Sequence, residues 1–571
     1  MQPRGQANGP PRQTDWQAIN WRKAQRNVRN LRQRIFRATQ AHAWRQVRAL
    51  QKLMLRSYSN TVLSVRRVTQ VNAGKYTPGV DQVVVKTPTA RGRLVDQLTT
   101  CQPWRVQPVR RVYIPKANGT KRPLGIPTIL DRCLQAQVKN ALEPSWEATF
   151  EGSSYGFRPG RGCHDALGKI YHLANPRNRK KWVVDADITG AFDHIDHDFL
   201  LRTLGEVPGK ALIRQWLKAG VMEEGGLSAT LAGTPQGGVL SPLLLNVALH
   251  GLEAAVGVKH DAQGVIAGSR AVVRYADDCV VFCESQAEAR HVREHVLPRW
   301  LAERGLTLST EKTRIVHLTE GFDFLGCRVR HYAAPRTSRY GYKLLITPSP
   351  QAVAAKRREL REVWHRLQGH NLNTVLARLN PSIRGWANYY RTVVASRTFY
   401  KMDQWMHRRV VQHVRRQHRN KPWRWCKQRY WGRLNPERND PWVFGDKHTG
   451  RYLLKFKWFT IVRHRLVRGT ASPDDPRLRG YWRERRQEES RHLTRSDVKL
   501  AHAQDWQCPG CGMDLMNGEA LHRHHRQAQA DGGSNAYQNR ELVHLYCHQQ
   551  LTRQWQRTRQ AAKEQLGKCR K

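Results

Sequence analysis

Asp277 and Asp278 stand side by side in Tyr275-Ala276-Asp277-Asp278, between Val272-Val273-Arg274 and Cys279-Val280-Val281-Phe282. β-Forming residues on both sides place the pair on a tight turn between two strands. Adjacent carboxylates on a rigid hairpin repel each other and require a cation. A hard divalent ion with oxygen ligands, Mg²⁺ first, meets that need. Two such ions can clamp the attacking and leaving oxygens of a phosphoryl transfer. Trp182-Val183-Val184-Asp185-Ala186-Asp187 supplies a third carboxylate upstream. Trp182 to Val184 read as a buried strand broken by Gly190, which puts Asp187 at a strand end. Asp185 points the same way from two residues earlier and competes for the role. Asp193, Asp196 and Asp198 follow at a polar helix start and read as caps or surface charges.

A second chemistry lies near the other end. Cys508-Pro509-Gly510-Cys511 is half of a zinc knuckle. His544 and Cys547 supply a second pair at matching spacing, giving a Cys₃His set for a structural Zn²⁺. Between the pairs lie Leu521-His522-Arg523-His524-His525, Asp531-Gly532-Gly533 and Asn539, and His548 follows Cys547 directly. A histidine suits proton transfer because its ordinary pKa is near neutrality.

The elements that position these groups follow from pattern. Residues 16–57 read as two helices, with Val28, Leu31 and Ile35 on one stripe and Trp44, Val47, Leu50 and Met54 on another. Residues 345–430 read as helical, and 435–500 combine Arg and Lys with Trp442, Trp458 and Trp482 without clear periodicity. The palm would end about 170 residues before the cysteine cluster, so the two chemistries are expected to be separable by mutation.

Lys and Arg number 98 against 45 Asp and Glu, a formal charge of +53. An excess of this size implies a polyanionic partner. No apolar run is long enough to span a bilayer, which argues against a membrane partner. Met1-Gln2-Pro3-Arg4-Gly5-Gln6 lacks an apolar h-region, and the cysteines are scattered outside the knuckle. Together these predict a cytoplasmic protein in a reducing compartment.

Seven segments in order carry a resemblance. They are Arg111-Val112-Tyr113-Ile114-Pro115-Lys116 with Lys121-Arg122-Pro123-Leu124-Gly125-Ile126-Pro127; Ser154-Tyr155-Gly156-Phe157-Arg158-Pro159-Gly160; Asp187 to Phe192; Thr234-Pro235-Gln236-Gly237-Gly238-Val239-Leu240-Ser241-Pro242; Tyr275 to Asp278; Leu306-Thr307-Leu308 with Glu311-Lys312-Thr313; and Gly321 to Gly326. They resemble the blocks of a reverse transcriptase encoded by a group II intron. Ile383-Arg384-Gly385-Trp386-Ala387-Asn388-Tyr389-Tyr390 resembles the maturase, or X, signature of that family. The resemblance implies that Asp187, Asp277 and Asp278 hold two Mg²⁺ and that Lys116 and Arg122 grip the incoming dNTP. It places Phe192 under the deoxyribose, where a ring leaves no room for a 2′-OH, and Gln236 beside the sugar. Gly237-Gly238 would let the backbone approach the primer–template. Arg384, Tyr389, Tyr390 and Arg391 would face the duplex, and Trp386 would be core.

The segment from Cys508 to His548 resembles the HNH, or ββα-metal, endonucleases. That resemblance makes His525 the general base, has His524 and His548 hold one divalent ion, and lets Asn539 brace the loop. Some members add a metal-binding histidine four residues beyond the position of His548, where this chain has Thr552. Either two histidines suffice or the nuclease is weakened. His522 is the candidate to compensate, although on an extended strand it shares the face of His524, not that of His525.

The expected fold is multidomain α/β: a right-hand polymerase with fingers and an antiparallel palm sheet, a helical thumb, a basic DNA-binding region and a ββα-metal domain. The expected boundaries are 1–59 for a basic helical extension, 60–335 for fingers and palm, and 345–430 for the thumb. The DNA-binding region would span 435–500 and the HNH unit 505–555. The expected function is RNA-directed DNA polymerase, splicing maturase and strand-nicking endonuclease, supporting retrohoming. Its partners would be group II intron RNA, target DNA and dNTPs. Two rival readings are a reverse transcriptase of a defence or retron-like system, and a splicing cofactor without catalysis.

Overall fold

The computed structural model describes residues 13–100, 104–115, 121–261, 264–335, 339–490 and 493–568. Its central sheet is antiparallel, in the order Ala271–Tyr275, Asp278–Cys283, Trp182–Asp187, Arg314–His317. Alternate side chains leave opposite faces of a strand. Val183, Val273, Val280 and Phe282 accordingly enter one core, and Val184, Val272, Cys279 and Val281 the other. Burial on both faces is why these strands read as unbroken apolar runs. The first core continues into helices Pro350–Arg366, Leu372–Tyr390 and Ser396–Gln417. The second is closed by His197–Leu204, Lys210–Leu217 and Ser241–Ala248.

A second sheet has the order Lys121–Ile126, Val109–Pro115, Val221–Glu223, Gly226–Ser228. Its first two strands form a hairpin in which Ile114 faces Arg122. The Gly125 N–H donates to the Gln236 carbonyl at 3.0 Å, tying this sheet to the loop before Ser241–Ala248. Gly237 in that loop has φ +138°, and a Cβ there would stand 2.7 Å from the Gly125 oxygen. Gly237 is therefore required by the protein's own packing.

The helical region after the palm begins at Pro350. Residues 345–348 belong instead to the strand Tyr342–Pro348, paired with Cys327–Ala333, and Ser349 caps the helix by accepting from Ala352 N–H. The first two N-terminal helices are Trp21–Gln40 and Trp44–Leu55. Trp44 does not share the buried stripe of Val47, Leu50 and Met54 and is 48% exposed. It opens its helix, where side chains tilt toward the N-terminus and away from the packed body. Of the three tryptophans in 435–500, Trp482 is core and packs against Gly160, whereas Trp442 is exposed beneath the Lys427 ammonium.

Among the described residues, the segment with the cysteine cluster has no separate core. Cys508, Cys511, Leu515, Leu542, Val543 and Cys547 lie in one cluster with Trp16, Trp21, Val62, Val65 and Val68 of the N-terminal region. Arg66 joins them: it is 3% exposed, pairs with Glu519 at 3.1 Å, donates to Cys547 Sγ at 3.6 Å and stacks over Trp21. Sequence distance alone suggested two separable units; the fold joins them through shared apolar surface. Cys508→Ser is therefore expected to speed amide exchange in Tyr58–Arg66 as well as around the cysteines, measured by mass spectrometry. Faster exchange confined to residues 505–555 would show that the common core carries no energetic coupling.

Candidate functional site

Strand register brings the carboxylates together. Asp187 pairs directly with Asp278 across the sheet, and Asp277 occupies the two-residue turn with Ala276. Ala276 adopts φ +59°, a left-handed conformation unfavourable for a residue with a Cβ. The turn is held from below. Arg274, 1% exposed, donates from Nη1 to the Ala276 carbonyl at 3.1 Å and to Asn246 Oδ1 at 3.0 Å. Asn246 Nδ2 donates in turn to the Gly156 carbonyl at 2.9 Å. A Cβ on Gly156 would lie 2.3 Å from the Ala276 nitrogen, so only glycine lets that loop meet the turn. Burial lowers the Arg274 pKa to about 10.

The site is electrostatically crowded. Desolvation, then Asp277, Asp187 and Asp185, push the Asp278 carboxyl up to about 6. Burial also raises Asp277, reinforced by Asp187 and opposed by Arg122, which places Arg122 within the field of the acids. Asp185 is pushed up to about 6 by burial despite its pairing with Arg314 at 3.4 Å. The rival carboxylate thus has a cation of its own. Lys312, given no role from sequence, reaches Asp187 Oδ2 at 2.8 Å. Its place in Glu311-Lys312-Thr313 was visible, but its contact depends on the loop before Arg314–His317. Thr313 also acts here, its Oγ1 accepting from the Asp187 N–H at 3.3 Å.

Phe192 is half-buried beside Phe157, ring centroids 6.1 Å apart. Gln236 donates to Asp193 Oδ2 at 3.0 Å, giving Asp193 an internal partner. Asp196 caps His197–Leu204 as expected, accepting from Phe199 N–H. Lys116 lies outside the described residues. Tyr389 and Tyr390 are not surface contacts: their hydroxyls donate to the Leu325 and Gly326 carbonyls at 2.8 and 3.2 Å. They anchor the helix to the turn between Phe322–Phe324 and Cys327–Ala333, because an unpaired buried phenol is costly.

The ligand atoms of Cys508, Cys511, His544 and Cys547 all lie within 4.8 Å of one another, and all four residues are buried. His544 directs Nδ1 at Cys511 Sγ, 3.3 Å away, and Nε2 at the Asp514 carbonyl, 3.2 Å away. A second bond of this kind fixes which ring nitrogen faces a metal. Strands Leu521–His525 and Arg540–His544 pair antiparallel and lead into helix Leu545–Lys568. His524 and His548 approach edge to face at 5.3 Å. His525 Nε2 meets Asn535 Oδ1 at 2.8 Å, a contact that holds the ring in place. Asn535 was missed from sequence, its only signal being a polar residue after Gly532-Gly533-Ser534. Asn539 braces the loop, bonding Gln527 through both ends of its amide and donating to the Ser534 carbonyl at 2.7 Å.

The raised Asp278 and Asp185 values predict a pH effect in metal-free protein. Their pKa values near 6 exceed the ordinary carboxyl value of 3.8, so the folded state holds protons that the unfolded state has released. Their contribution to stability therefore falls as pH rises from about 4 through about 6. Asp278→Asn removes one repelled charge and is expected to raise the metal-free melting temperature at about pH 7 but not at about pH 4. Mg²⁺ is expected to stabilise the wild type more than this variant. Thermal melts with and without chelator read all of these outcomes.

Comparison with known proteins agrees in four places. Residues 16–98 match the model for the N-terminal domain of reverse transcriptase, and 114–329 that for reverse transcriptase (RNA-dependent DNA polymerase). Residues 353–431 match the group II intron maturase-specific domain, and 508–554 the HNH endonuclease. Protein YkfC of Escherichia coli (strain K12) is 33% identical over 324 residues, spanning 50% of this chain and 84% of YkfC. The group II intron-encoded protein LtrA of Lactococcus lactis subsp. cremoris is 46% identical over 155 residues, 26% of this chain and 25% of LtrA. An uncharacterized 91 kDa protein in the cob intron of Schizosaccharomyces pombe is 28% identical over 403 residues, 56% of this chain and 49% of its own. Thus the matches cover most of YkfC, but only about half or less of the other two. The chain belongs to the group II intron reverse transcriptase–maturases that carry an HNH endonuclease domain.

Proposed function

We propose that this protein copies intron RNA into DNA at a target strand that its own nuclease segment has nicked, and that it also assists splicing of that RNA. The observation that carries the polymerase reading is the direct pairing of Asp187 with Asp278, with Asp277 in the adjoining turn. The oxygen-rich donor set and its mutual repulsion fit two Mg²⁺, which when bound would neutralise charge developing on the transferred phosphoryl group. The chain's own residues do the rest. Arg122 would hold the triphosphate together with Lys116, which lies outside the described residues. The Phe192 ring would close the space a 2′-OH needs. Arg274 and Gly156 keep the turn from shifting under its charge.

In the nuclease segment, His525 would take the proton of the attacking water, with Asn535 holding the ring. His524 and His548 would ligate the divalent ion there, and the Cys₃His set would hold structural Zn²⁺. The maturase reading rests on the match at 353–431 and the formal charge of +53. That match, with the HNH match at 508–554, disfavours an enzyme unconnected with introns. The intact carboxylate set disfavours a cofactor without catalysis. No described helix is long and apolar enough to cross a membrane.

Asp277→Ala or Asp187→Ala is expected to abolish primer extension on an RNA template while intron splicing continues, since the RNA is its own catalyst. Near-normal extension would refute the metal assignment. Phe192→Ala is expected to weaken the preference for dNTP over rNTP by about 1–3 kcal/mol, measured as the ratio of their kcat/KM values. An unchanged ratio would make Phe192 a packing partner of Phe157 only.

A further inference from the structure

Three imidazoles meet on one face of the nuclease segment, one more than the pair assigned above. His522 and His524 are alternate residues of strand Leu521–His525 and so share a face. Helix Leu545–Lys568 crosses that face and brings His548 to both: its ring centroid is 5.5 Å from His522 and 5.3 Å from His524. Two imidazoles on one tetrahedral ion, with metal–nitrogen bonds of about 2.1 Å, have centroids roughly 5 Å apart. Among the described residues, none of the three rings makes a hydrogen bond. Three imidazoles converging at these distances are poorly explained by core packing, since His522 is exposed. Thr552, one helical turn beyond His548, cannot complete the set in its present rotamer, because its hydroxyl donates to the His548 carbonyl at 2.9 Å.

We infer that His522 is the third protein ligand of the nuclease ion, so that strand Leu521–His525 supplies two imidazoles and the helix one. This rests on the nuclease reading above and adds a residue which that reading leaves without a role. The three nitrogens are not yet aimed at a single point, unlike the Cys508 cluster, so ligation requires the rings to turn. An exposed ring such as His522 turns at little cost. A set of three neutral nitrogen donors favours borderline ions such as Co²⁺ or Zn²⁺ over Mg²⁺. It also leaves a coordination position open for water or a phosphate oxygen.

The test uses the full chain, zinc-saturated at the cysteines and carrying Asp277→Ala throughout to weaken ion binding at the polymerase acids. Co²⁺ is titrated and its visible absorption bands give the affinity; zinc content and circular dichroism report the fold. His522→Ala is expected to weaken Co²⁺ binding by more than the roughly 10–100-fold that loss of an outer-shell partner can cost. Zinc content should not change. Adding Thr552→His is expected to restore affinity, since position 552 shares the helix face of His548. His524→Ala is the reference. If it abolishes binding while His522→Ala leaves affinity within about twofold, the third-ligand assignment is wrong and the nuclease reading stands. If neither changes affinity, the nuclease-site reading itself fails.

Discussion

Carboxylates that repel one another must be held within reach of one another, and the polymerase body is arranged around that constraint. Asp187 and Asp278 cannot drift apart, because each belongs to a strand buried on both faces. Asp277 cannot swing away, because its turn is gripped by a buried arginine and roofed by a glycine. A non-glycine residue in the left-handed region costs on the order of 1–3 kcal/mol and persists only where its surroundings over-determine it. Ala276 is in that situation. The strain and the charge repulsion are sustained by the same apolar sheet, whose core extends from strand Asp278–Cys283 to the helices Pro350–Arg366, Leu372–Tyr390 and Ser396–Gln417.

Buried arginines recur where distant segments meet. Arg158 pairs with Glu147 at 3.0 Å with both side chains 1% exposed, and Arg485 reaches Asp165 across more than 300 residues of chain. Arg32 binds both Glu143 and Asp474. Removing one partner of such a pair costs about 3–5 kcal/mol, because the other is left charged and dry. These contacts draw several of the few acids inward. They also make residues 460–490 part of the polymerase wall, so this basic region is anchored and not a free arm.

Joining the nuclease segment to the N-terminal helices has a functional consequence under the proposed reading. A nicked 3′ end released near His525 would stay on a segment packed against the N-terminal helices, which would raise its effective concentration at the polymerase. Arg66 contributes at the seam, where its guanidinium faces a cysteine sulfur and a glutamate at once.

The sequence by itself determined the chemistry on offer. The residue types at Asp187, Asp277 and Asp278 were legible because flanking apolar runs force them to strand ends. The Cys508-to-Cys547 grouping was legible because ligand spacing is local. The two N-terminal helices were legible from periodicity, as was the cap at Asp196. Only the tertiary structure decided how these parts meet. Lys312 at Asp187, Asn535 at His525 and Arg314 at Asp185 are contacts between residues ten to nearly 130 positions apart, which no local pattern encodes. The hydroxyls of Tyr389 and Tyr390, expected at the duplex, donate to the Leu325 and Gly326 carbonyls, and Gly237, expected to admit the primer–template, is also required by the nearness of the Gly125 oxygen. That the cysteine cluster shares its apolar surface with the N-terminal helices was illegible for the same reason. Apolar side chains bury against whatever surface lies nearest in space, and nearness in space is settled only when the whole chain has folded.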